Sequence, residues 1–522
     1  MIKSKKINIK KGISLMITTA LALGVLSGCG GKNSATTNSN GVAMGRYVES
    51  EVGLPDKIVN KEESLCKMET NEAGDLVIYG FGEDLEKYTY KGNGKWECET
   101  LNIGDKILAE CGEGCDISDI QTKDNGDMYL GINLYSEAEN RPVLLKIDSS
   151  KALTSIPIEG WDKYEQMDNY KYYPTVIKLA VLSDGRLLIG DEKGISLFDV
   201  DGKKIRDYGE AVGNVIVVQD DDSFMTVNSN GSEFFTYDIE SGELKSEVAT
   251  TDSQTTNNNV VTSYETSSVD VFQDKQGKIY LLNRNGVHTL ADGGSIWETI
   301  IDGTLNSMSR QDQNFFDFTR TGDKFYLISM GSSTRELLEY SYDENITSVP
   351  TNELSVYSLY NNATIRQAMV SFQQSHPDVK VNYRVAIGNE ETGALDTTDY
   401  IKTLNTELLA GKGADIIILD GLDTKTYIEK GVLADISDII NPMEENNELL
   451  SNIADAYKQE SGKIYSIPSK VSIPIAAGNK EAIENYGDLT KMTEYIKNNA
   501  DASLLGSLSQ NDLINNLYLL KA

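Results

Sequence analysis

Between about residues 46 and 352, apolar residues come in short runs, each introduced by a turn rich in glycine or acid. Glu72-Ala73-Gly74-Asp75 leads into Leu76-Val77-Ile78-Tyr79, and Asp124-Asn125-Gly126-Asp127 leads into Met128-Tyr129-Leu130. The same punctuation returns before Leu187, Phe224, Ile279 and Phe325, with turns at 74, 126, 185, 222, 277 and 322 and gaps of 52, 59, 37, 55 and 45. Glycine and asparagine tolerate the positive φ of tight hairpin turns, so each unit predicts short antiparallel strands. Some units carry a second hairpin, at Asp201-Gly202 after Ile195–Val200 and at Ser241-Gly242 after Phe235–Ile239.

Near residue 353 the period changes. Leu354–Tyr360 reads as a strand, and Asn361 or Asn362 can cap a following helix whose Ile365, Ala368, Met369 and Phe372 fall on one face. His376-Pro377 ends that helix and leaves His376 facing water. Val379, Val381, Tyr383 and Val385 alternate as a second strand, and Tyr400–Leu409 reads as a second helix. Ala414–Asp420 reads as a third strand whose run Ile416–Leu419 suits burial on both faces. Thr426–Lys430 reads as a short helix and Ile464–Pro468 as another strand. Strand–helix–strand order with short turns predicts a parallel α/β sheet.

The first region resembles the blades of a β-propeller, which repeat at roughly 40–50 residues. Six units are visible, and the 307 residues of 46–352 also hold seven. A blade cannot bury its apolar face alone, so the units are expected to stack into a ring. Another all-β repeat or a pair of sandwiches is the competing architecture. The aspartates read as turn residues; Asp199-Val200-Asp201-Gly202 lacks the full spacing and final Glu of a calcium loop. Trp96, Trp161 and Trp297 are expected to pack between blades.

The 522 residues carry 48 Lys plus Arg against 80 Asp plus Glu, a net charge of -32. Phosphate contact needs a basic surface, so no nucleic-acid partner is expected. Two histidines, His288 and His376, leave little room for imidazole metal sites or a His-based triad. No catalytic group, metal or cofactor is expected. Cys66, Cys98, Cys111 and Cys115 permit three pairings, among which the sequence does not choose. Cys111 and Cys115, spaced by Gly112-Glu113-Gly114, are able to close a local loop.

The N-terminus has Lys3, Lys5, Lys6, Lys10 and Lys11, an apolar run from Ile13 to Val25, then Leu26-Ser27-Gly28-Cys29. This is the layout of a secretory signal peptide. The last four residues resemble a bacterial lipobox. That implies cleavage before Cys29 and a lipid on this cysteine, an anchor at the extracellular face of the bacterial membrane. The polar stretch that follows suits a tether. Losing the five lysines of 1–28 takes the charge from -32 to -37, which keeps the body off anionic lipid.

Within the C-terminal region, Phe372–Val381, Leu408-Leu409-Ala410-Gly411 before Ala414-Asp415-Ile416-Ile417, Tyr427–Ile436 and Gly462–Pro468 follow one another. In this order, residues 354–478 resemble the first lobe of the extracellular solute-binding lipoproteins that serve carbohydrate ABC importers. The resemblance implies two lobes closing on a sugar or oligosaccharide, an ABC permease as partner, and no bond chemistry. It places ligand contacts at Tyr357, Tyr360, Asn361 and Asp420, at the carboxyl ends of strands, and at Ser466 and Ser469, around the interlobe crossing. Two departures stand out. About 320 residues separate the anchor from the lobe, and the second lobe is expected to be incomplete at Ala522. The expected organisation is multidomain: signal peptide 1–28, tether 29–45, an all-β propeller-like domain 46–352 of six or seven blades, and an incomplete α/β periplasmic-binding-protein-like lobe 353–522. The competing reading is a cell-surface adhesion or assembly lipoprotein whose propeller binds a polymer or a protein.

Overall fold

The computed structural model describes residues 43–471 apart from 113, 210–212, 214, 221, 228–232, 250–269, 291–296, 311–312, 332–333 and 388–396, together with 36–37, 480, 484–485 and 488–498. The signal segment and Cys29 lie outside the described residues. The chain forms two compact units that divide between Asp423 and Thr424.

Most of the first unit is six sheets built from antiparallel hairpins, spanning 64–100, 115–172, 178–208, 217–249, 270–302 and 313–347. The turn chemistry is as expected. Gly126 (φ 84°) and Gly277 (φ 80°) occupy the left-handed region, and Asp199 accepts the Asp201 and Lys203 N–H groups at 3.0 and 2.9 Å as a turn residue.

Every residue of the strand Leu76–Phe81 is buried. Successive side chains of a strand face opposite sides. Leu76 and Ile78 join Tyr326, Ile328 and Leu337 of the sixth sheet, whereas Val77 and Tyr79 join Ile117, Leu130 and Leu145 of the second. Equivalent clusters link second to third, third to fourth, fourth to fifth and fifth to sixth. Among the described residues the sheets therefore close into a propeller-like ring of six blades. Trp96, Trp161 and Trp297 pack against these inter-blade clusters.

The sixth blade takes its outer strand from the other end of the chain. Ala43–Val52 pairs antiparallel with Arg335–Thr347, from Met44 opposite Thr347 to Val52 opposite Leu337. The strand begins at Ala43, inside the stretch read as tether. On it, Glu49 accepts the Tyr340 hydroxyl (2.8 Å), the Ser307 N–H (2.9 Å) and hydroxyl (2.5 Å), and the Gln374 amide (2.6 Å).

Around the inside of the ring, carboxylates stitch one blade to the next. Asp119 accepts the Leu179 N–H of the third blade at 2.9 Å, and Asp317 accepts the Met68 N–H of the first at 2.7 Å. Burial opposes ionisation of Asp119, but the ammonium groups of Lys67, 3.1 Å away, and Lys178 outweigh it and hold the carboxyl below its ordinary range. Asp270 faces the opposite balance. Burial, helped by repulsion from Asp317 and opposed by Lys178 and Lys67, pushes it from 3.8 up to about 6.

The parallel sheet follows. Asn352–Ser358 pairs with Val379–Val385 on one side and Ile416–Ile417 on the other, in the order second–first–third. The helices Ala363–Ser375 and Thr398–Leu409 connect them. Asn362 is the cap, accepting the Ile365 N–H at 3.2 Å. His376 sits exposed at the helix end, stacked on Phe372 at 4.3 Å.

Three expectations change. The third strand is a two-residue edge, and Ile416 is 44% exposed rather than buried on both faces. The helix buries Val370 and Gln373 in place of Ala368 and Phe372. Gln373 is drawn inward because its amide bonds the Thr304 carbonyl (2.7 Å) and the Val381 N–H (2.5 Å). A buried amide with both ends satisfied is tolerated where an unpaired one is not. In the second unit, Ile464–Pro468 is not a strand. Ile464 makes a single bridge to Lys458, its carbonyl and N–H are taken by the Ile436 N–H and the Ser437 hydroxyl, and its side chain is buried with Ile440 and Ala454.

Two consequences follow for stability. Glu49→Ala strands several donors at once and is expected to cost about 2–3 kcal/mol, read as a lower urea midpoint, with Glu49→Gln recovering part of the loss. An acid whose folded pKa exceeds its unfolded one binds extra protons when folded, so the Asp270 contribution falls as pH rises from about 4 to 6. Asp270→Asn is expected to raise Tm at pH 7.5 by about 2–4 °C and to leave it nearly unchanged at pH 4; an equal shift at both pH values would refute the assignment.

Candidate functional site

An α/β sheet offers ligands the carboxyl ends of its strands. Here that edge is formed by the residues just after Ser358 and Ile417. Ser358 is buried and its hydroxyl donates to the Tyr360 carbonyl at 2.6 Å, which turns the chain out of the sheet. Tyr360 is 44% exposed. Its ring lies beside Gly421, where an added Cβ would come within 3.2 Å of it. Gly421 has φ 78°, so the turn after Asp420 both needs and benefits from the missing side chain. Asp420 itself is exposed beside it.

Asn361 accepts a hydrogen bond from Arg366 Nε at 2.7 Å. Arg366, not anticipated from the sequence, is half-buried in the first turn of the helix with its guanidinium 5.0 Å over the Tyr383 ring. Burial lowers its pKa, with Tyr383 acting against the shift. The Tyr383 hydroxyl in turn reaches the Tyr360 carbonyl at 3.4 Å. Tyr360, Asn361, Asp420, Arg366 and Tyr383 thus gather at one edge. The signal for Arg366 was its place four residues after Asn362, one turn into a capped helix.

Tyr357 is placed differently. It is 4% exposed within the strand, with the Arg384 guanidinium 4.9 Å over its ring. Arg384 also pairs with Glu407, at 3.0 Å through Nη1, and that bond raises its pKa. Ser466 and Ser469 belong to the second unit, half-buried and exposed respectively, just after Ile464.

A cavity of about 860 Å³ lies elsewhere, in the first blade. Its inner carboxylates are already engaged. Lys57 bridges Glu63 and Glu86 at 3.0 and 3.1 Å, Tyr88 donates to Glu63 at 2.8 Å, and Thr100 and Cys98 donate to Glu86 at 2.8 and 3.2 Å. The strand edge, with an exposed ring and an exposed carboxylate, is the better candidate for solute. His288 is a satisfied core group: it bonds Thr299 and Asn283 at 2.9 and 3.2 Å, and burial brings its pKa down to about 4, so it is neutral. Cys66, Cys98, Cys111 and Cys115 are free thiols. Among the described residues no group of three or more His, Cys, Asp or Glu is placed to hold a metal ion, and no helix is long and apolar enough to cross a membrane.

Among solved structures, the extracellular domain of the two-component system BT4673 from B. thetaiotaomicron is 12% identical, with 42% of this chain and 25% of that one covered and a TM-score of 0.28. The gluconolactonase XC5397 from Xanthomonas campestris is 11% identical over 54% of this chain and 86% of that one, TM-score 0.32. Chaetomium thermophilum Raptor is 9% identical over 59% and 30%, TM-score 0.35. This chain thus spans a quarter of the first of these proteins, and likeness at such scores carries no argument. Nothing among the curated proteins matches. Residues 358–514, or 157 of 522, match the family described as bacterial extracellular solute-binding protein. A propeller-like repeat region therefore precedes a partial match to a solute-binding family near the C-terminus, and the candidate edge falls inside that match.

Proposed function

We propose that the chain is the solute-capturing component of an ABC importer, held at the outer face of the bacterial membrane by lipid on Cys29, and that its solute is a carbohydrate. The observation that carries the reading is the gathering of Tyr360, Asn361 and Asp420 at the carboxyl edge of a parallel sheet, inside residues 358–514. A pyranose presents one apolar face and a rim of hydroxyls. An exposed tyrosine ring suits the face, and a carboxylate and an amide suit the rim. Ser466 and Ser469 are further proposed contacts. No bond is made or broken; the working step is closure on solute, a shift between open and closed populations. In this reading 1–28 is the signal, 29–45 the tether, 46–352 the propeller and 353–522 the lobe, with a permease receiving the solute.

Calorimetric titration of the purified chain with a panel of neutral oligosaccharides is the test. At least one is expected to bind, with Tyr360→Ala and Asp420→Ala each weakening it about ten-fold, near 1.4 kcal/mol, at unchanged Tm. Binding by none, or binding indifferent to both variants, overturns the solute site. Cys29→Ser is expected to release the protein from membranes into the medium; a variant that stays membrane-bound overturns the anchor.

A further inference from the structure

The second blade carries more than its share of strands. After the outer strand Leu153–Ile156 the chain makes a hairpin, Glu165–Met167 with Tyr170–Tyr172, which joins in parallel onto the start of Glu139–Ile147. Residues 162–169 are all exposed. Four tyrosines fall within the ten residues 164–173, and Tyr135 ends the strand on the other side of Glu139–Ile147. Tyr164 and Tyr173 lie 5.2 Å apart and Tyr170 and Tyr172 4.6 Å apart. Tyr164, Tyr172 and Tyr135 are 47%, 46% and 48% exposed.

This is unlike the body of the ring. There Tyr88, Tyr326 and Tyr340 are buried and donate their hydroxyls to Glu63, Glu339 and Glu49, each at 2.8 Å. Tyr164 and Tyr172 are exposed, with the Lys171 ammonium 5.1 Å from the Tyr164 ring centre, and among the described residues the hairpin hydroxyls have no bond within the chain.

The hairpin is also tied to the blade at its exit. Two buried asparagines clamp its exit: Asn140 exchanges two hydrogen bonds with the Tyr173 backbone (2.8 and 2.9 Å), and Asn133 two with Val176 (both 2.8 Å). The Gln166 amide closes the turn onto the Asp168 carbonyl at 2.8 Å. Such fixing lowers the ordering cost of binding.

We propose that this hairpin is a glycan-binding platform that takes a neutral polysaccharide, stacking sugar rings on Tyr164, Tyr172 and Tyr135 and bonding sugar hydroxyls through the open phenol groups. Charge argues for a neutral polymer: residues 162–173 hold Asp162, Glu165 and Asp168 against Lys163 and Lys171, on a chain of net charge -32 that repels polyanions. Layout argues for sugar over a protein face, because the exposed Tyr164, Met167 and Tyr172 are interspersed with the polar Glu165, Gln166, Asp168 and Asn169. The platform is independent of the proposed solute edge.

Affinity electrophoresis of the whole chain through gels containing glucan, xylan, mannan or, as the anionic arm, polygalacturonate tests this. Retardation by at least one neutral polymer is expected. It should weaken about ten-fold in Tyr164→Ala/Tyr172→Ala at unchanged Tm, and persist in Tyr360→Ala, which separates it from the solute edge. No retardation by any neutral polymer, equal retardation of the double variant, loss in Tyr360→Ala, or equal retardation by polygalacturonate would each overturn the platform.

Discussion

The pairing of Ala43–Val52 with Arg335–Thr347 is the constraint on which the rest depends. Six blades present six interfaces only if the last meets the first, and each blade buries both faces only in a closed ring. A strand from the far end of the chain fastens that closure, and its cost is the entropy of closing a loop of nearly three hundred residues, which grows only slowly with length. Glu49 sits on that strand and gathers Tyr340 of the sixth blade, Ser307 of the connection from the fifth, and Gln374 of the first lobe helix. One carboxylate thus joins the closure of the ring to the seating of the parallel sheet upon it.

That junction recurs in neighbouring residues. Gln373 bonds the Thr304 carbonyl on the ring and the Val381 N–H in the sheet, and Arg46 reaches the Pro377 carbonyl. Polar groups with partners on both sides make a seam whose geometry is specific, where an apolar contact would tolerate sliding. The candidate solute edge lies at the carboxyl ends of the strands that this seam supports, so the orientation of Tyr360 and Asp420 traces back to it through Asn352–Ser358. On the second blade, Asn133 and Asn140 use the same device to hold an exposed tyrosine hairpin.

The charged interior of the ring follows a related logic. Asp119 and Asp317 each take a backbone N–H from the next blade, with Lys67 and Lys178 offsetting the burial of Asp119. Asp270 shares the region without equal compensation, and its pKa rises. Location on the ring, not residue type, separates them.

Much of this was legible in the chain. Glycine and aspartate turns with apolar runs between them determine short hairpins, because only certain residues accept positive φ and because a fully apolar strand must be buried on both faces. The capped helix after a strand, and its end at His376-Pro377, are equally local. Blade count was not local: the strand at 43–52 bears no mark of its partner nearly three hundred residues away. The inward turn of Gln373 over Phe372, the exposure of Ile416 and the burial of Tyr357 were likewise decided by tertiary structure. Each depends on which carbonyl, strand edge or guanidinium stands opposite, and side-chain periodicity carries no information about groups distant in sequence.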